Sequence, residues 1–185
     1  PISYAGIISA VIFVCTVISS LMSDRLHRRF GTGWIVAVSV AVSAASIFGF
    51  AFSRSFALLV ALSIPYGLAA GSIDAALNNY VALHYASRHM SWLHCMWGVG
   101  TIVGPQVMGA ALAGGAAWQS GYLWVAVIQS VIAAVMIFSL PLWKINKHPG
   151  VSEDEGRPLS IRQAVSLPGA KCVLLIFCFY CAVEQ

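Results

Sequence analysis

Five long apolar segments, separated by short polar connectors, constrain the fold of this chain more than any other feature. Each has about the 20 apolar residues that a helix needs to cross a bilayer. A water-soluble domain carries roughly 25% charged residues, whereas only 9% of these 185 residues are charged. The segments are residues 4–22, 33–52, 56–83, 92–114 and 121–143. We therefore predict an all-α fold, a polytopic transmembrane helical bundle.

Basic residues are concentrated in every other connector. They fall in residues 23–32, 86–91 and 144–168, whereas the second connector holds only Arg54 and residues 114–121 hold none. Cytoplasmic loops of membrane proteins carry an excess of Lys and Arg. We therefore predict that the first, third and fifth connectors are cytoplasmic. We expect an integral membrane protein of the bacterial plasma membrane.

The composition also bears on partners. A net charge of +4 does not indicate nucleic-acid binding, because the charges are spread over several loops without an aromatic platform. His84, His89 and His94 do not form a tight ligand set, so we expect neither a metal nor another cofactor. The expected partners are a small solute, protons and the lipid bilayer, and we expect the complete chain to be a monomer.

Asp74 is the only formally charged residue of the 56–83 segment. A carboxylate at that depth costs roughly 2.5 kcal/mol or more, which favours a functional role. Asn78 follows four residues later, so both lie on one helix face, while Asn79 lies about a quarter turn away. A carboxylate and an amide can both form hydrogen bonds with the hydroxyl groups of a solute. Removal from water also makes a carboxyl group bind a proton more readily, as proton coupling requires. The alternative is a polar clamp between helices.

The next apolar segment offers an aromatic face. His94, Trp97, Thr101 and Pro105 are spaced to share one side of a helix. An indole and an imidazole suit a sugar ring, because the indole packs on its CH groups while the imidazole bonds its hydroxyls. The alternative for His94 is an interfacial histidine that bonds water. A further apolar segment begins at Gly169 and contains Glu184. Glu184 is a second candidate for proton coupling and would reach the central cavity from the second helical bundle.

Glycines at intervals of four predict close helix packing in two segments. One pair is Gly67 and Gly71, and the other is Gly100 and Gly104. Pro105 follows the second pair and predicts a bend there, because proline removes a backbone hydrogen bond.

The first connector places an acid just past the expected helix end, followed by a basic cluster of Arg25, Arg28 and Arg29. Asp24 could cap a helix or pair with an arginine in one state only, as a gating latch does. The alternative is an ordinary cytoplasmic anchor.

This connector resembles the loop G-x-L-x-D-R-x-G-R-R/K that joins helices two and three in the major facilitator superfamily. The matching stretch is Ser20-x-Met22-x-Asp24-Arg25-x-His27-Arg28-Arg29. It agrees at the acid and the basic residues, whereas Ser20 and His27 replace glycines. The glycine-rich stretch around Pro105 is similar to the Gly-Pro motif of helix five. The resemblance implies a secondary transporter that works by alternating access.

Within that superfamily, the chain is most similar to the fucose-permease-like sugar transporters. Their fourth helix carries an acid followed four residues later by Asn, as do Asp74 and Asn78. Where their fifth helix starts with a Leu-Asn-like pair, this chain has Leu93-His94. The resemblance implies that Asp74 takes part in sugar binding and proton coupling.

The resemblance also implies a domain organisation. Residues 1–143 would form helices two to six of the N-terminal bundle, with helix one missing. Residues 144–168 would be the central cytoplasmic loop, and residues 169–185 the start of helix seven. Other candidates are an exporter of drugs or metabolites from the same superfamily and, from another class, a non-transporting membrane receptor or a membrane enzyme. An intramembrane enzyme would need a paired acid and base or a metal cluster, which the segments do not offer.

Overall fold

The computed structural model of the protein describes residues 5–145 and residue 166. The described residues are almost entirely helical and contain no strand, so the predicted all-α bundle is confirmed. All five helices are long and apolar enough to cross a membrane. They are α1 (Ala5–Phe30), α2 (Thr32–Phe52), α3 (Phe56–His84), α4 (Ser87–Ala113) and α5 (Trp118–Ile145).

Two predicted connectors are mostly helical, and the prediction of their extent was wrong. Helix α1 continues to Phe30, so Asp24 lies within the helix rather than just past its end. Gly31, with φ of 81°, separates α1 from α2, and only glycine adopts that backbone conformation readily. Helix α4 likewise begins at Ser87, within the third connector. Arginine is a good helix former, so the helices extend beyond their apolar segments.

The core of the bundle lies between α2, α3 and α5. Val36 and Val40 of α2 meet Ala76 of α3 and Ala133 of α5. Gln129 of α5 also donates a 2.9 Å hydrogen bond to the hydroxyl of Ser43 in the middle of α2. These three helices therefore form one packed unit.

Helix α1 packs mainly against α3, across a seam of small residues. A Cβ atom at Gly67 would lie 2.6 Å from the carbonyl oxygen of Ile12, and one at Gly71 would overlap the carbonyl oxygen of Thr16. The two backbones approach so closely that only glycine fits at either position.

Hydroxyl groups of α1 bond the backbone of α3 along the same seam. Thr16 donates to the carbonyl of Gly67 at 3.1 Å, and Ser20 donates to that of Gly71 at 3.3 Å. Ser19 donates to the carbonyl of Leu68 at 2.6 Å, and its hydroxyl also lies 2.6 Å from that of Ser72. The seam therefore combines close packing with hydrogen bonds that replace those water would otherwise provide.

Candidate functional site

Asp74 and Asn78 are joined on one face of α3. The Asn78 Nδ2 group donates a 3.0 Å hydrogen bond to Asp74 Oδ1. Because a carboxylate only accepts, the amide must turn its nitrogen toward Asp74. The remaining amide oxygen, Asn78 Oδ1, is buried and has no hydrogen-bond partner among the described residues. The pair therefore presents carboxylate oxygens as acceptors and the second N–H group of the Asn78 amide as a donor.

Asp74 lies on the open side of α3, which is the side where the side chains of this helix are exposed. Its side chain is exposed, whereas Ala76, two residues on and about 200° around the helix, is completely buried in the core. Asp74 lies ten residues before the end of α3, which is about 15 Å along the helix axis. Charged residues at that depth almost always face the interior of a helical bundle or a water-filled cavity rather than lipid.

The turn between α3 and α4 places their polar residues at matching depths. The helices are joined only by Tyr85 and Ala86, so they run in opposite directions from one membrane end. Trp97 lies ten residues after the start of α4, just as Asp74 lies ten residues before the end of α3. His94 and Asn78 lie seven and six residues from the same turn, about 10 Å deep.

The structure does not join these two helices through their candidate residues. His94 and Trp97 are exposed, and among the described residues neither makes a hydrogen bond or ring contact with Asp74 or Asn78. Asn79 is also exposed. The arrangement is thus one hydrogen-bonded acidic pair on α3 and, at equal depth on α4, an imidazole and an indole without a fixed partner.

The sequence matches a known protein family over nearly its whole length. The family model of the Major Facilitator Superfamily matches residues 1–184. The chain belongs to this superfamily. No curated protein gives a significant match. Members of the superfamily are transporters, so this major facilitator protein is an integral membrane protein that acts on a small solute.

Among the described residues of this major facilitator protein, no group of three or more His, Cys, Asp or Glu side chains could hold a metal ion. Glu184, proposed for proton coupling, lies outside the described residues. The same holds for most of residues 144–168 and for all of residues 169–185, the predicted central loop and start of a second bundle.

The predicted gating residues lie on the last two turns of α1. Arg25 and Arg29 are exposed, and the Arg29 guanidinium lies 5.4 Å from the centre of the Phe30 ring. The side chains of Asp24 and Arg28 are outside the described part, although their backbone is helical. Nearby, the hydroxyl of Ser23 lies 3.2 Å from His27 Nε2. A latch in this major facilitator protein would therefore act from a helix rather than from a loop.

The two predicted glycine pairs have different surroundings. Gly67 and Gly71 lie against the backbone of α1, whereas a Cβ at Gly100 or Gly104 would meet nothing within 4 Å among the described residues. Pro105 is exposed within α4, which continues through it to Ala113. Close packing by the α4 pair stays a prediction.

Sequence reasoning missed the hydroxyl groups of the α1–α3 seam. A signal for them exists, because Thr16, Ser19, Ser20 and Ser23 follow the spacing of one helix face. In α3, Ser63, Gly67 and Gly71 repeat every four residues, and all three are buried. Two small-residue faces of this kind predict a close helix pair, and the seam holds one side of the helix that carries Asp74.

Proposed function

We propose that this protein is a secondary transporter of a small polar solute rich in hydrogen-bond donors, a sugar or related polyol. It would couple transport to protons and work by alternating access between the two sides of the membrane. Asp74 would accept the proton or a solute hydroxyl, with Asn78 as a ligand and with His94, Trp97 and Asn79 lining the pocket.

The observation that carries the proposal is the exposed carboxylate of Asp74 on the open side of α3, hydrogen-bonded to Asn78. A carboxylate facing lipid near the middle of the bilayer would cost about 2.5–3.5 kcal/mol. A water-accessible solute pathway removes that cost. The exposed position of Asp74 is therefore expected if the open side of α3 borders the transport cavity.

The unused acceptors of the pair favour a particular cargo chemistry. The exposed Asp74 carboxylate can accept hydrogen bonds from a solute that donates them. A carboxylate solute would instead be repelled by the negative charge of Asp74. Vicinal hydroxyl groups are donors that could reach both side chains. Trp97, at the depth of Asp74, could pack on the CH groups of a sugar ring.

The test is uptake by the full-length protein in vesicles, with and without a pH gradient. The solute panel contains labelled sugars, polyols, amines and carboxylates of similar size. We expect a polyhydroxylated solute to accumulate only with the gradient, and Asp74→Asn to lose that accumulation. If neither the pH gradient nor the Asp74→Asn substitution changes uptake, proton coupling is contradicted. Preference for a solute without donor groups would contradict the proposed cargo class.

The Asp74→Asn variant also separates transport from packing. Asparagine has nearly the same shape as aspartate, so we expect the melting temperature of the variant to stay close to that of the wild type. If the variant transports normally but unfolds at a lower temperature, Asp74 is a polar clamp between helices. Preference for apolar compounds moved outward would instead support an exporter of drugs or metabolites.

A further inference from the structure

A small cavity lies at the end of the described bundle remote from the α3–α4 turn. It has a volume of about 190 Å³ and is lined by Ile8, Phe50, Leu59, Trp118 and Tyr122. These residues come from the first turns of α1, α3 and α5 and from the last turn of α2. Because consecutive helices run in opposite directions, all four contributions meet at the same membrane end.

The walls of this cavity are apolar and fixed by aromatic contacts. The ring of Phe50 lies 5.7 Å from that of Tyr122 and 5.9 Å from that of Tyr66, and Trp118 meets Tyr122 edge to face at 5.8 Å. Trp118 remains 38% exposed, so the cavity can be reached from outside the bundle. Its volume is below the roughly 300–1,000 Å³ of pockets that enclose whole small molecules. It therefore suits a segment of an apolar chain rather than a polar solute.

An exposed arginine lies in the turn between two of the helices that line the cavity. Arg54 lies in the three-residue turn between Phe52 and Phe56, whose flanking helices supply two of the lining residues. Its side chain is exposed and forms no salt bridge among the described residues. The other described connector at this end, residues 114–117, contains no charged residue. The N-terminus of α3, which starts here, adds further positive potential.

We propose that this cavity binds one acyl chain of an anionic phospholipid whose phosphate is held by Arg54. A guanidinium group binds phosphate through two parallel hydrogen bonds, and no acidic side chain in these connectors competes for it. A zwitterionic headgroup brings its own cation and is attracted less. The chain segment next to the headgroup fills the space between the aromatic rings. The site is independent of the solute site on α3.

The test uses the full-length protein in phosphatidylcholine vesicles that contain a small fraction of lipid with brominated chains. Bromine quenches tryptophan fluorescence at short range, and the contribution of Trp118 is the difference between the wild type and Trp118→Phe. Brominated phosphatidylglycerol should quench Trp118 with an apparent affinity about fivefold higher than brominated phosphatidylcholine. That factor is the one expected for a single basic side chain near an anionic lipid. Equal quenching by the two lipids would overturn the proposal.

Two variants separate the headgroup contact from the cavity. Arg54→Gln should remove the preference for phosphatidylglycerol, whereas Arg88→Gln, an exposed arginine at the opposite membrane end, should keep it. Ile8→Phe fills the cavity and should reduce quenching by both lipids. A preference that survives Arg54→Gln, or quenching that Ile8→Phe leaves unchanged, would show that the lipid is bound elsewhere and would overturn the proposal.

Discussion

The helix that carries Asp74 and the helix that carries His94 are held in very different ways. Helix α3 is fixed on one side by the seam with α1 and on another by the core with α2 and α5. Helix α4, all of whose residues are described, contributes no buried side chain. Its main contact is with α5, where the sulfur of Met108 lies 2.5 Å from a Cβ built at Gly121.

This difference indicates that α3 and α4 contribute to the candidate site in different ways. The acidic pair belongs to a packed unit, so its position is determined mainly by the contacts of α3 with α1 and α2. The imidazole and the indole belong to a helix whose displacement would break few contacts of that unit. A transport site shared between such partners could change shape while Asp74 and Asn78 stay in place.

The strongest test of the comparison is thiol reactivity in two single-cysteine versions of the full-length protein. Cys95 of α4 is exposed, whereas Cys15 of α1 is buried in the seam against Gly67. We expect a charged maleimide to modify Cys95 in the folded protein and to modify Cys15 only after denaturation. Equal rates would show that the seam opens as readily as the face of α4. Protection of both would show that water does not reach this face of α4, which protein or lipid then covers in the complete protein.

A leucine substitution should separate the two glycine pairs by stability. Gly71→Leu forces a side chain into the backbone of α1 around Thr16, and overpacking of this kind costs about 1–3 kcal/mol. Gly104→Leu is the matched control, because a Cβ there meets nothing within 4 Å among the described residues. Thermal unfolding of both variants in detergent provides the measurement. A loss from Gly104→Leu as large as that from Gly71→Leu would place a helix against α4.

The smallest expected effect concerns the hydroxyl groups of the seam. In a double-mutant cycle, Ser19→Ala and Ser72→Ala should show a coupling free energy of about 0.6 kcal/mol, typical of such bonds in membrane helices. Among the residues that the structure describes, the Thr101 hydroxyl of α4 bonds only the carbonyl of Gly98 in its own helix, at 2.7 Å. Thr101→Ala should therefore show no coupling to Ser72→Ala. Additive effects of Ser19→Ala and Ser72→Ala would mean that close packing alone holds the seam.

The apolar pattern predicted much of the fold. All five segments correspond to helices, and the turn at residues 53–55 separates α2 from α3 as expected. At the basic connectors, the end of α1 was predicted too early and the start of α4 too late, because charged residues were interpreted as loop residues. A helix can extend past the hydrocarbon core without cost when its side chains reach water. Only the positive φ of Gly31 ends α1, and sequence spacing does not reveal that angle.

For the candidate site, the sequence predicted only which residues of one helix share a face. The spacing of Asp74 and Asn78 requires them to share a face, and the structure joins them by a hydrogen bond. The orientation of that face relative to other helices depends on packing, which the spacing within α3 does not contain. For the same reason, equal spacing of glycines in α3 and α4 could not distinguish a pair pressed against a backbone from a pair in open space.

The seam between α1 and α3 also has a consequence for synthesis and membrane insertion. Ser20 and its acceptor Gly71 are 51 residues apart, so α1 is made well before its partner. At roughly 5–20 residues per second, α1 waits several seconds in the membrane or translocon with Thr16, Ser19 and Ser20 unpaired to α3. Hydroxyls in this position bond carbonyls of their own helix in the meantime. Pairing of α1 with α3 then requires an exchange of bonds, in which the backbone of α3 replaces that of α1 as the acceptor of these hydroxyls.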